Sequence, residues 1–165
     1  MTSSRIGAGA VRLHGPTHEH SVISKQGTLR FALFDPRTEV IVGLDATAYQ
    51  LQSSPDAGLS QVTNGNNLVL FVGTYHQPWA LWIATGAGQL RIKDRPEPDV
   101  EDPHRYSTEE QQLAGSVDLY RAAYGKIEGC ILWRRLIPEQ SWRQRYALRR
   151  IEAWQFELGF KFLDW

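Results

Sequence analysis

Three histidines near the start of the chain have a spacing that could bind a transition metal. His14, His18 and His20 lie in a short polar stretch, and His-rich tracts of this kind can hold such ions. The same stretch is rich in Gly, Ser and Thr, which is typical of a solvated tail. We therefore read residues 1–26 as a flexible leader and expect no metal site.

The one cysteine is a candidate nucleophile. Cys130 lies in a basic segment, where nearby cations can activate a thiol. Its neighbours Ile131, Leu132 and Trp133 instead favour a small buried residue. No serine lies in a nucleophile-elbow sequence, and the glycine-rich stretches lack the spacing of a phosphate-binding loop. We predict that the protein is not an enzyme and carries no cofactor.

Composition limits the classes of protein that fit this chain. The 165 residues are 42% apolar and 22% charged, which excludes general disorder, and 18 basic residues balance 18 acidic ones. A neutral chain has no bulk attraction for nucleic acid or for an anionic membrane. The densest apolar runs, 68–72 and 80–84, are far shorter than the ~20 residues of a membrane-spanning helix. These observations predict a cytoplasmic or nuclear protein, or one found in both, without a membrane partner.

The elements that would position any site begin with short β-like runs. Turn signals separate apolar, β-branched segments between residues 27 and 93. Closely spaced short strands favour a β-sandwich or a small barrel, and we predict an antiparallel β-sandwich over residues 27–93. The expected core residues are the large apolar side chains of these runs: Leu33, Val40, Val42, Tyr49, Leu70, Val72, Leu81 and Ile83.

The second half of the chain reads differently. Residues 94–106 are acidic and contain three prolines, which is typical of an extended linker. Ser107 and Glu110 then have the spacing of a helix capping box. Leu113, Val117, Tyr120 and Tyr124 follow at helical spacing. We predict an α+β protein, in which the antiparallel sandwich is followed by C-terminal helices over residues 107–165.

Residues 121–150 are basic and contain tryptophan. Arginines beside aromatic residues could bind RNA phosphates and stack on bases, so a small RNA-binding module is one alternative. The other is that this segment pairs with the acidic residues 94–118 of the same chain or contacts another protein.

The C-terminal end is ambiguous between helix and strand. Residues 152–165 carry apolar residues at helical spacing, but Trp154, Phe156, Leu158, Phe160 and Phe162 also alternate with polar residues as in a strand. Either form leaves a large apolar surface, so we expect this end to complete a partner interface. The candidate interface residues are Trp133, Arg145, Arg149, Arg150, Trp154, Phe156 and Phe160.

Residues 27–94 resemble the N-terminal domain of the A1-cistron splicing factor family. The resemblance is carried by a strand at 29–34, a turn at 36–39, a Gly-Leu-Asp step at 43–45 and a second strand at 68–72. The residues that match the spacing of the family's motif are Gly43, Asp45, Tyr49, Gly58 and Gly65. These are structural positions, because the glycines suit turns and Asp45 can bond its own backbone.

The family consists of assembly factors of the U5 snRNP in pre-mRNA splicing. The resemblance implies a non-enzymatic, chaperone-like protein that binds the large spliceosomal scaffold protein at its RNase H-like and MPN-like domains. Most of the family's C-terminal helical domain has no counterpart in this chain.

Overall fold

The described residues form a closed barrel of eight antiparallel strands. The computed structural model describes residues 2–14, 19–52, 62–92, 104–122, 124–141, 143 and 149–162. Each strand pairs with the next along the chain, and β1 pairs with β8 to close the sheet. The strands are β1 Thr2–His14, β2 Glu19–Asp35, β3 Val40–Gln52, β4 Val62–His76, β5 Trp79–Ile92, β6 His104–Ala122, β7 Gly125–Pro138 and β8 Arg150–Phe162.

The two ends of the barrel differ in the length of their connections. The connections at 36–39, 77–78 and 123–124 are short, and β1 begins and β8 ends at this end, which we call the turn end. At the opposite end, which we call the loop end, the connection at 15–18 is also short, whereas those at 53–61, 93–103 and 139–149 each comprise 9 to 11 residues. The β2–β3 turn is fixed by Asp35, whose carboxylate accepts the amide of Arg37 at 3.0 Å and the hydroxyl of Thr38 at 2.8 Å.

Side chains alternate along each strand between the interior and the outer wall, and the apolar ones are found mainly outside. On β2, for example, Leu29, Phe31 and Leu33 are each more than half exposed, whereas Thr28 and Arg30 are 4% exposed. This is the reverse of a water-soluble barrel, in which the interior is apolar. The other large apolar side chains that are more than half exposed are Ile6, Ile23, Leu68, Leu70, Leu81, Ile83, Leu113, Leu119, Tyr120, Tyr124, Ile131, Trp154, Phe156 and Leu158.

Two apolar clusters also lie inside the barrel. The cluster at the loop end includes Val11, Tyr49, Leu90, Leu136 and Ile151. The second cluster lines β2 to β7 nearer the turn end and contains Phe71 and Trp82, whose ring centroids are 6.3 Å apart. An eight-stranded barrel is just wide enough for side chains to fill, so these clusters and the polar side chains between them form a packed core.

The expected fold class, α+β with a β-sandwich and C-terminal helices, is wrong. A closed barrel replaces the sandwich, and residues 107–122, expected to be helical, belong to β6. The helical spacing arose from a β-bulge between Asp118 and Tyr120, which moves the outward positions from odd to even numbers. Leu113, Val117 and Tyr120 therefore share the outer wall although they lie on a strand.

The expected core is also wrong, except for Tyr49, which is 4% exposed. Leu33, Leu70, Leu81 and Ile83 are each more than half exposed, and Val40, Val42 and Val72 are exposed as well. Their inward neighbours, such as Val69, Phe71 and Trp82, are apolar too. The sequence of this region consequently does not distinguish the two walls.

The first and the last described segments of the chain are strands. The segment expected to be a flexible leader contains β1 and the start of β2, and the ambiguous C-terminal segment forms β8. Within the described residues, helical backbone is confined to Gln140, Ser141 and Arg143 in the β7–β8 connection. The described part of the chain contains no helix that is long and apolar enough to cross a membrane.

Gly65 tests the packing of the interior. It lies opposite Tyr49, and a Cβ there would meet the Tyr49 ring, which is held in the loop-end cluster. We expect Gly65→Val to lower the free energy of unfolding by about 1–3 kcal/mol through overpacking. The matched control is Gly27→Val, because a Cβ at Gly27 meets nothing within 4 Å. Urea unfolding of both variants measures the difference, and equal effects would contradict this packing.

Candidate functional site

The interior holds three groups of paired charges, of which the first is centred on Asp45. Arg30 donates to both carboxylate oxygens of Asp45, at 2.7 and 2.6 Å, and Arg5 donates to Oδ2 at 2.9 Å. The Arg30 guanidinium also lies 3.9 Å from the Trp82 ring centroid and 4.1 Å from that of Phe71. Two cations, one carboxylate and two aromatic faces thus form a fixed unit.

Glu157 extends this group toward β8. Its side chain is fully buried and forms an ion pair with Arg5 at 3.2 Å. Thr28 donates a hydroxyl to Glu157 at 3.1 Å, and the Gln26 amide donates to the same oxygen. Glu157 therefore compensates the second guanidinium of the Asp45 group.

The second group lies nearer the loop end. Glu110 and Arg134 form an ion pair at 2.6 Å with both side chains buried. Gln112 donates to Glu110 at 2.5 Å, and Asn67 donates to its other oxygen. The Arg134 guanidinium lies 5.2 Å from the Tyr49 ring centroid. Because Tyr49 belongs to the apolar cluster of the loop end, the second group contacts that cluster.

The third group lies near the turn end. Lys126 contacts Asp118 at 2.7 Å and Lys161 contacts the other oxygen of Asp118 at 2.9 Å. The Tyr75 hydroxyl donates a hydrogen bond to Asp118 at 2.8 Å and accepts one from the ammonium group of Lys126 at 2.7 Å. Lys161 also pairs with Glu128 at 3.2 Å.

The interior charges balance among the residues that the structure describes. Five cations and five carboxylates point inward, and each takes part in one of the three groups: Arg5, Arg30, Lys126, Arg134 and Lys161 with Asp45, Glu110, Asp118, Glu128 and Glu157. A buried charge is tolerated when it is paired and hydrogen-bonded. The arrangement is therefore suited to filling the barrel with polar side chains.

The structure of the described residues bears on the candidate nucleophile and on the candidate metal ligands. Cys130 is buried with its sulfur 3.5 Å from Nη1 of Arg5. In the described ranges no three His, Cys, Asp or Glu side chains are grouped so that they could hold a metal ion. His18 lies outside the described residues. The pairing of acidic with basic segments that the sequence left open occurs between β6 and β7, where Glu110 meets Arg134 and Asp118 meets Lys126.

The outer wall changes from apolar to polar along the barrel. The apolar part, which we call the apolar band, lies toward the turn end; on β5 it covers Trp79 to Ala87, and on β8 it covers Trp154 to Phe162. Polar side chains follow toward the loop end, such as Gln89 and Arg91 on β5. Exposed Trp79, Tyr120 and Tyr124 lie at the turn-end margin, and Trp154 lies at the polar margin.

The motif residues drawn from the resemblance occupy different surroundings. Gly43, Asp45, Tyr49 and Gly65 lie on neighbouring strands β3 and β4, and Gly58 lies outside the described residues. Asp45 accepts hydrogen bonds from two arginines instead of stabilising a turn, and the Tyr49 ring packs against Gly65. Sequence reasoning missed the interior groups, although the alternation of Arg30 with Leu29 and Phe31 was a signal for them.

The candidate interface residues lie on the last two strands. Trp133, Arg150, Trp154, Phe156 and Phe160 face the outer wall of β7 and β8. Arg149 is exposed just before β8, and Arg145 lies outside the described residues. That these side chains contact a partner stays a prediction.

No protein-family model matches the sequence, and no curated protein matches it. Solved structures match over nearly the whole chain. The crystal structure of Neisserial surface protein A has a TM-score of 0.63 at 8% identity and covers 98% of this chain and 97% of its own. The attachment invasion locus protein of Yersinia pestis gives 0.59 at 10% identity, with 98% and 97% covered. The N-terminal barrel domain of Pseudomonas aeruginosa OprF gives 0.52 at 12% identity, with 97% of each chain covered.

The fold is shared with bacterial outer-membrane barrels. This overturns the resemblance to the A1-cistron splicing factor family and with it the role in U5 snRNP assembly, the chaperone-like function and the spliceosomal scaffold partner. The alternative of a small RNA-binding module is wrong as well, because the fold matches that of bacterial outer-membrane barrels. The expectations of a cytoplasmic or nuclear location and of no membrane are likewise contradicted. The spacing of these short motifs is not specific for one family, because strand–turn–strand patterns recur in many β-proteins.

Asp45 tests the pairing of the interior charges. Asp45→Asn removes the carboxylate that compensates Arg5 and Arg30, so we expect it to lower the free energy of unfolding by about 3–5 kcal/mol. The exposed turn carboxylate provides the control, and Asp35→Asn should have a much smaller effect. Urea titration of the folded barrel measures both, and equal losses would show that the Asp45 group is not a structural unit.

Glu139 provides a pH-dependent test outside the barrel wall. Hydrogen bonds from the Ser141 hydroxyl and from the Ser107 amide, the latter at 3.1 Å, hold the pKa of Glu139 below its ordinary value. Its bonded form therefore stabilises the protein above the ordinary carboxylate pKa, and that contribution is lost as the pH falls through the lowered pKa. We expect Ser141→Ala to raise the pKa of Glu139 in an NMR titration; an unchanged value would contradict this contact.

Proposed function

We propose that this protein is a membrane-embedded barrel of the outer-membrane type that anchors its loop-end connections at a membrane surface. The observation that carries the proposal is the inverted polarity of the wall, with charged side chains inside and large apolar side chains outside. A protein in water would have to expose this wall to solvent. In a bilayer the same wall lies against lipid chains, which removes that cost.

The dimensions of the wall support this placement. The apolar band on β5 and β8 is roughly nine residues long, close to the ~9–11 residues that a tilted strand needs to cross a bilayer. Closure between β1 and β8 leaves no sheet edge to be exposed to lipid. Exposed tryptophan and tyrosine at the margins of the band match the aromatic girdles of such barrels.

The ends of the barrel agree with the same role. Three of the four loop-end connections are longer than any turn-end connection. Short turns at one end and longer loops at the other are typical of outer-membrane barrels, whose longer loops face the exterior of the cell. The packed, charge-balanced interior supports a role as an anchor more than as a wide aqueous channel. We also propose that the protein catalyses no reaction, because the described ionisable groups of its interior are engaged with one another.

Leu70 provides the decisive test of membrane placement. It lies in the middle of the apolar band on β4 and is 64% exposed. In a bilayer Leu70→Arg should lower the free energy of unfolding by about 2–4 kcal/mol. Asn64→Arg is the matched control, since Asn64 is exposed on the same face of β4 within the polar part of the wall.

Urea titration of both variants refolded into phosphatidylcholine vesicles gives the comparison. A large loss for Leu70→Arg with little change for Asn64→Arg supports the proposal. An arginine tolerated equally at both positions would show that water covers the wall, and the proposal would fail.

A further inference from the structure

An arginine cluster lies on the outer wall where β7, β8 and β1 meet. Glu152 on β8 is directly opposite Arg135 of β7 on one side and Arg12 of β1 on the other. Arg150 lies on the same face of β8, with its Nε 2.9 Å from Glu152. Three arginines thus occupy the outward positions next to one glutamate, and these four residues together carry a charge of +2.

The arginine cluster directly adjoins the apolar band. Trp133 and Trp154, which are opposite each other on β7 and β8, occupy the next outward positions toward the turn end. Ile131 and Phe156 follow as the next opposed outward pair, and both are more than half exposed. Positive charge therefore directly borders a strip of large apolar side chains.

We propose that the arginine cluster binds the phosphate of an anionic lipid in the loop-end leaflet, with the lipid's acyl chains against the strip formed by Trp154, Phe156 and Ile131. The inference rests on the proposed membrane placement. Guanidinium groups bind phosphate oxygens in a bidentate geometry, and tryptophan favours the headgroup level. Charge complementarity selects the headgroup, and the adjoining apolar strip selects a lipid over a soluble phosphate.

A second pair of outward arginines shows why position matters. Arg91 on β5 and Arg105 on β6 are exposed and directly opposite each other. Arg91 lies four residues beyond Ala87, the last residue of the apolar band on β5. The nearest large apolar side chain of that strand's outer face, Ile83, is about eight residues from Arg91, or roughly 18 Å along the barrel axis for a tilted strand. The next outward neighbours of Arg91 and Arg105 are Gln89 and Ser107 rather than apolar side chains. This pair has charge without a place for acyl chains, so it serves as the control.

Quenching of tryptophan fluorescence can measure the lipid preference. The full chain is refolded into phosphatidylcholine vesicles that contain a small fraction of brominated-chain phosphatidic acid, and brominated phosphatidylcholine serves as the neutral reference. Trp133 and Trp154 lie next to the proposed site and report contact with the brominated chains. The ratio of quenching by the two lipids gives the association constant of the anionic lipid relative to the neutral one.

The wild-type protein should prefer phosphatidic acid, and Arg12→Gln with Arg135→Gln should lower that preference by about five-fold for each guanidinium removed. Arg91→Gln with Arg105→Gln should leave it unchanged. The single variants are measured too, so that a folding failure of the double variant does not remove the test.

Three results would overturn the site. These are wild-type protein that inserts without a preference, equal losses in the two double variants, and full preference in all arginine variants. Insertion is followed separately by flotation with the vesicles. Wild-type protein that does not insert would overturn the proposed function together with this inference, whereas insertion without preference overturns only the lipid site.

Discussion

Closure of the sheet by the β1–β8 ladder is the constraint on which the rest of the structure depends. Thirteen residues of β1 pair with β8, from Thr2 opposite Phe162 to His14 opposite Arg150. Closure gives the backbone N–H and C=O groups of both strands hydrogen-bond partners, and it divides the side chains between an interior and an outer wall. Because the interior carries paired charges, the apolar side chains of the same strands are left outside. The apolar band and the buried ion pairs are therefore two consequences of one register.

The strands were the most predictable part of the fold, and the wall that each side chain faces was the least. The β-like runs between residues 27 and 93 do lie in strands, and the alternation of Trp154 to Phe162 was visible in the sequence. Where apolar residues face both the interior and the exterior, as at Leu70 and Phe71, the alternation does not show which of them faces the interior. On β6 the bulge near Asp118 produced an apparent helical period. Local patterns could not reveal this, because the bulge is defined by pairing with β7.

The polar interior was less predictable because its partners are far apart in sequence. Asp45 is separated by 40 residues from Arg5, which it contacts across the barrel. The sequence around Asp45 predicts a local turn, because an aspartate after a strand usually bonds its own backbone. The local spacing of Ser107 and Glu110 likewise predicts a helix cap, whereas the actual partner of Glu110 is Arg134 on the neighbouring strand. Charged residues alternating with large apolar ones were the available signal, and they indicate a strand whose polar face is enclosed.

The central claim is that the apolar band faces lipid, and spin labels along β4 test it most directly. Single cysteines at positions 68 to 72, in a Cys130→Ser background, carry a nitroxide in the vesicle-inserted protein. The account predicts that labels at Leu68, Leu70 and Val72 collide with lipid-soluble oxygen and are protected from a water-soluble nickel complex, whereas labels at Val69 and Phe71 are protected from both. Strong nickel accessibility at Leu68, Leu70 and Val72 would place the outer wall in water and contradict the account.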